Sequence, residues 1–135
     1  MVSQFSKEKN VKTSNIWHDL VVSMLAVYNY TVEKVDAYSA GFEKQGLFDP
    51  NKIKQMNHEE IFTALEKAGY TRGNLNAIFT ERLQALGEYI EKKGKAHCEA
   101  ILKSKNKDSI TELLNPIKGV GPKVIENYLE LRDLK

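Results

Sequence analysis

Leu113-Leu114-Asn115-Pro116-Ile117-Lys118-Gly119-Val120-Gly121-Pro122-Lys123-Val124-Ile125-Glu126-Asn127-Tyr128-Leu129 is the most informative segment of the chain. Apolar residues at helical spacing flank a Gly-Val-Gly corner, which predicts two short amphipathic helices joined by a hairpin. Gly119 and Gly121 can take backbone angles closed to other residues, and they leave one face free of side chains. Val120 between them is expected to point into the core. Pro122 presets the first turn of the second helix and gives up an amide that would be unpaired there. The product is a group of bare amides at a helix N-terminus, an anion site whose size fits a phosphate. The alternative is a helix–turn–helix corner whose glycines serve only tightness.

The rest of the chain repeats the helical period. Ile16, Trp17, Leu20, Val21, Met24 and Leu25 follow Thr13-Ser14-Asn15, a run of N-cap residues. Thr31 can cap a second helix carrying Val32, Val35, Tyr38 and Phe42 and stopped by Gly46. Asp49-Pro50 opens a short helix with Ile53 and Met56. Asn57-His58-Glu59-Glu60 reads as a capping box before Ile61, Phe62, Leu65 and Ala68, with Gly69 as the stop. A longer helix runs from about Asn74 to Gly94. Another is expected around Ala96, Ala100 and Ile101, and a further one behind Asp108 or Ser109. Nothing alternates with period two. The expectation is an all-α fold, seven or eight short helices in a compact orthogonal bundle ending in the hairpin. Residues 1–13, polar and aperiodic, read as a flexible arm. Residues 14–135 read as one helical domain with the hairpin unit at 109–132.

Composition agrees with one domain. The chain has 135 residues, 41% of them hydrophobic, enough for a core and too many for a disordered chain. Twenty Lys+Arg against eighteen Asp+Glu leave a formal charge of +2, which neither requires nor excludes a polyanion. Cys98 is the one cysteine, so an internal disulfide and an all-cysteine metal cluster are both excluded. No apolar run approaches a membrane span, and the N-terminus lacks a signal-peptide core. An intracellular, membrane-independent protein is the expectation; protein partners cannot be read from these features.

The hairpin segment resembles the helix-hairpin-helix motif, which grips the DNA backbone without reading bases. Further upstream, Leu20-Val21-Val22-Ser23-Met24-Leu25-Ala26-Val27-Tyr28 resembles an early helix of the helix-hairpin-helix DNA glycosylases, the endonuclease III superfamily. Ala68-Gly69-Tyr70-Thr71-Arg72-Gly73-Asn74-Leu75-Asn76-Ala77-Ile78 is similar to that family's Gly-aromatic loop and the long helix behind it. In order, these elements match the family's six-helix barrel domain over roughly residues 15–132, with an excess of chain at about 88–107. The resemblance implies double-stranded DNA, abasic or base-damaged, as partner. It implies Lys118, Gly119, Val120, Gly121 and Pro122 as the backbone grip. Tyr28 and Tyr70 lie where the family carries residues that wedge into a duplex, though either can equally be core. Arg72 is a candidate phosphate contact.

In bifunctional members, the lysine just inside the second hairpin helix is the nucleophile; Lys123 matches it. Partial desolvation beside a helix N-terminus would free some of its amine near neutral pH. The amine then attacks the sugar to form a Schiff base. An ordinary cation contacting a phosphate is the competing role. The family's catalytic aspartate lies farther past that lysine than Lys135, which is twelve residues on. Asp133 falls short of that place, and Glu126 and Glu130 sit on the hairpin's own helix. The cluster-bearing second domain and its four cysteines also have no counterpart. The resemblance therefore implies a minimal glycosylase or abasic-site lyase of base-excision type. The alternative is a non-catalytic DNA-binding or damage-recognition module of the same fold. No cofactor is expected, beyond a monovalent cation on the hairpin carbonyls by resemblance alone.

Other candidates are weaker. Lys92, Lys93, Lys95, Lys103, Lys105 and Lys107 against Glu99 give a local charge of +5, either a phosphate-binding stripe or a solvated face. His18, His58 and His97 lack ligand spacing, so no metal site is expected. Cys98 reads as a half-buried inert thiol and Trp17 as a core anchor.

Overall fold

The computed structural model describes residues 15–134; the arm read over residues 1–13 lies outside the described residues. Asn15 opens α1 (Ile16–Leu25), its side-chain oxygen accepting the amides of Trp17 and His18. All ten residues of α1 are buried, so this helix is the axis of the molecule.

The single helix expected between Thr31 and Gly46 is two, α2 (Val32–Asp36) and α3 (Ser39–Lys44). Thr31 caps the first through the Lys34 amide, as expected. A five-residue helix is too short to hold itself, and tertiary contacts set where it stops. The Asp36 carboxylate accepts from His18 of α1 and from the Ser39 hydroxyl. Tyr38, in the break, packs its ring on Tyr70 and Phe42.

Local signals place the next elements where they were read. Asp49 caps α4 (Pro50–Ile53), with proline at the first helical position. Asn57 and Glu60 close a capping box at 2.8 and 2.9 Å at the start of α5 (His58–Lys67). The long α6 (Leu75–Lys93) stops at Gly94, whose φ of 99° few other residues adopt. Then come α7 (Lys95–Lys103), α8 (Lys107–Leu114) and α9 (Pro122–Leu131). Asn106, rather than Asp108 or Ser109, caps α8, accepting the Ser109 amide at 3.0 Å. Asp108 falls in the first turn, where a carboxylate still complements the helix dipole. The split second helix brings the count to nine among the described residues, and no strand occurs among them.

Helix α1 packs against α2, α7 and α9, while α6 lies against α4, α5 and α7. Leu20, Met24, Phe42, Phe79, Leu83 and Tyr128 are fully buried between them. Trp17 is the anchor it was read to be; its indole N–H donates to Glu99 on α7 at 2.8 Å. Among the described residues no helix is long and apolar enough to cross a membrane.

Cys98 is wholly buried instead of half-buried, and burial pushes its thiol up from the ordinary value. A disulfide reagent at mild alkaline pH is therefore expected to leave Cys98 unmodified in native buffer and to label it at once in denaturant. Rapid native labelling would contradict this packing.

Candidate nucleic-acid interface

Between α8 and α9 the chain turns back in one step. The Ile117 amide donates to the Leu114 carbonyl and the Val120 amide to the Ile117 carbonyl, each at 3.0 Å. Val120 is buried, as expected. Gly119 sits at φ 86°, and a Cβ there would lie 2.3 Å from Cδ of Arg82, which crosses the corner. Gly121 differs from expectation. Its φ of −113° and ψ of −170° form an extended N-cap open to any residue, and a Cβ there would meet nothing within 4 Å. Neither backbone angle nor packing requires a glycine at this position.

No side chain caps α9. Among the described residues, no acceptor takes the amides of Gly121, Lys123 or Val124. The Val120 amide, expected to join this group, is spent inside the turn. The hairpin forms one wall of a cleft of about 780 Å³, faced by the segment joining α1 to α2, with Arg82 of α6 also in its lining. Here the structure brings together residues far apart in sequence: Gly121 and Lys123, Tyr28 and Asn29, and Arg82.

Tyr28 is half exposed, an unusual state for a large aromatic in this molecule. It and Asn29 take left-handed backbone angles, φ 57° and 73°. For a bulky residue that costs on the order of 1–3 kcal/mol and requires outside support. Arg72 supplies it. One guanidinium nitrogen donates to the Leu25 carbonyl and the Tyr70 hydroxyl, the other to the carbonyls of Val27 and Tyr28, all within 3.1 Å. The guanidinium carbon also lies 3.6 Å from the Tyr30 ring centre. From the hairpin side, the Asn127 amide donates to the carbonyls of Ser23 and Ala26. Arg82 completes the frame by donating to the Tyr28 hydroxyl at 2.8 Å.

Three expected site residues have other employment. Tyr70 is 1% exposed, its ring against Tyr38 and Phe42 and its hydroxyl donating to Leu25; it is core, not a wedge. Burial raises its hydroxyl above the ordinary tyrosine range. Arg72 is spent on loop carbonyls and is no phosphate contact. Lys118 lies outside the cleft lining and reaches Glu81 of α6 at 3.3 Å. Lys123 does line the cleft, yet its side chain is 64% exposed with Nζ 3.7 Å from Glu126. The partial desolvation expected of it is absent.

The lysine-rich segment is not one stripe. Lys92, Lys93 and Lys95 gather at one end of α7 and Lys103, Lys105 and Lys107 at the other, about 13 Å apart along the helix, and none lines the cleft. Arg82 escaped the sequence reading because its partners Tyr28 and Gly119 lie 54 and 37 positions away. Its one local signal is a cation three residues after Phe79, flanking the apolar stripe. His58 and His97 are exposed. Among the described residues no His, Cys, Asp or Glu group is arranged to hold a metal, and no buried side-chain polar atom lacks a partner. Compared with known proteins, the chain matches no family model, no curated protein and no solved structure.

Proposed function

We propose that the chain binds double-stranded DNA by its sugar–phosphate backbone, as a damage-recognition module of the helix-hairpin-helix kind. The amides of Gly121, Lys123 and Val124 take a phosphate, Arg82 and Lys123 add charge, and Tyr28 stacks on a base left unpaired or unstacked. One observation carries this reading. The uncapped start of α9 and an exposed, rigidly framed tyrosine share a single cleft. Amides at a helix start suit an anion, an aromatic face suits any base, and neither reads sequence.

Fluorescence anisotropy on labelled duplexes tests it. Binding is expected to be indifferent to sequence, tighter on abasic or mismatched duplex, and to weaken with salt at a log–log slope of about −2 to −3, as two or three neutralised phosphates require. A flat titration at low salt overturns the reading and leaves a helical protein-interaction domain.

Lys123 in the cleft wall supports a second reading, abasic-site lyase action within DNA base-excision repair. Once its proton is given up to solvent, the amine adds to the sugar aldehyde at C1′ and water leaves as the imine forms. Loss of a C2′ proton then drives out the 3′ phosphate with the C3′–O electron pair. Borohydride would reduce the imine to a permanent protein–DNA adduct on abasic duplex. The expected adduct is lost in Lys123→Ala while duplex binding falls less than tenfold. No adduct from the wild-type chain removes the enzyme and leaves the binding module.

A further inference from the structure

The helices that bracket the Tyr28 segment, α1 and α2, run antiparallel, and a buried ionic cluster clasps them at the end remote from Tyr28. His18 near the start of α1 has a carboxylate oxygen at each ring nitrogen. Asp19 Oδ1 lies 2.8 Å from Nδ1, and Asp36 Oδ1, at the end of α2, lies 2.6 Å from Nε2. An ionised carboxylate only accepts hydrogen bonds, and both carboxylates are already engaged by donors. Arg132, just past α9, donates to Asp19 Oδ2 at 2.9 Å, and the Ser39 hydroxyl donates to Asp36 at 2.7 Å. Both ring nitrogens must therefore donate, which makes the ring an imidazolium.

A neutral ring would turn a nitrogen lone pair toward a carboxylate, a costly arrangement in a site where Asp19 is 0% and His18 5% exposed. Other described groups also face the cluster. Phe48 meets the ring edge-on at 5.2 Å. Tyr128 of α9 is buried, with its hydroxyl raised well beyond the ordinary range and donating to Leu102. Glu99 of α7 is bound to Trp17 and paired with Lys95. Burial opposes the charge on His18, but its hydrogen bonds and the charges of Asp19 and Asp36 outweigh that and hold the ring above the ordinary value of 6.5.

We propose that the His18 cluster is a pH-sensitive latch: doubly protonated, His18 pins α2 to α1 and fixes the intervening residues 26–31, and its deprotonation releases α2 and loosens the Tyr28 wall of the cleft. The latch stands whether or not the cleft takes DNA. Its sign is set by a folded-state value above the unfolded one. The stabilisation is fully present below about pH 6.5 and is lost as pH rises through the raised value.

Nitrogen-15 NMR of the full chain tests it. Both His18 ring nitrogens are expected to keep their protons to a pH above the ordinary histidine value of 6.5. The backbone amides of residues 27–36 should shift with the His18 midpoint. Their exchange protection, corrected for intrinsic rates, should fall about tenfold for each pH unit by which that midpoint exceeds the ordinary value. In His18→Gln these amides should lose that pH response. Asp36→Asn, which keeps the side-chain shape, should bring the His18 midpoint down and covers the case where His18→Gln does not fold. A His18 midpoint at or below the ordinary value of 6.5, or amides of 27–36 indifferent to it, overturns the latch.

Discussion

Gly121→Asp is expected to make the protein more stable and, on the proposed function, to weaken its hold on DNA severely. Gly121 occupies the N-cap of α9 in the extended conformation that capping residues adopt, with open space where a side chain would go and no cap in place. An aspartate there accepts the Lys123 and Val124 amides and sets a negative charge at the positive end of the helix. Relative to glycine, the cap and dipole together are worth about 0.5–1 kcal/mol, a rise of a few degrees in Tm for a chain of this size. The same carboxylate occupies the amides meant for phosphate and repels the backbone. Losing one charge-assisted contact of about 1.5–3 kcal/mol weakens duplex binding roughly ten- to a hundredfold, before repulsion adds to it. Calorimetry and anisotropy on one preparation check both signs. A mutation that improves the fold and weakens binding cannot be dismissed as misfolding. Unchanged affinity would remove the helix start from the interface.

Arg72→Ala carries the largest stability loss among these predictions. The guanidinium satisfies the carbonyls of Leu25, Val27 and Tyr28, steadies the Tyr70 hydroxyl and lies on the Tyr30 ring. Truncation leaves several part-buried acceptors without donors, at about 1–3 kcal/mol each and less than additively. A loss of about 3 kcal/mol is expected, or roughly 10 °C in Tm. Arg72→Lys should recover little, because one ammonium cannot reach three carbonyls and a ring face together. The support for left-handed Tyr28 and Asn29 goes with it, so the loop should exchange amide hydrogens faster than the core. Denaturant unfolding of both variants checks the energy. A loss under about 0.5 kcal/mol would mean that other contacts hold the loop.

The residues legible from the sequence share one property: their partners are near them in the chain. Asn57 finds Glu60 three positions on, Asp49 and Pro122 act on the helices they open, and Gly94 ends the helix before it. Val120 was legible for the same reason, since a corner between two amphipathic helices leaves an apolar residue one direction to go. Where tertiary attachment competed with local preference, the sequence reading erred. It ran one helix through Tyr38, where Asp36 and Tyr38 are drawn off by His18 and Tyr70. Tyr70 and Arg72 became site candidates through the family resemblance, with core left open for Tyr70; their polar ends meet the open carbonyls at the end of α1 in place of water.

Backbone hydrogen bonds and caps close within a few residues, so the all-helical class and the hairpin corner follow from residue order alone, while the break that splits the second expected helix at Tyr38 does not. The cleft required α1, α6 and α9 to be packed first. Only then does Arg82 reach both Tyr28 and Gly119, and only then do Asp36 and Arg132 reach His18 and Asp19. Those contacts close long loops, and apolar burial spread over the whole core drives that closure, leaving no local mark on the residues it brings together.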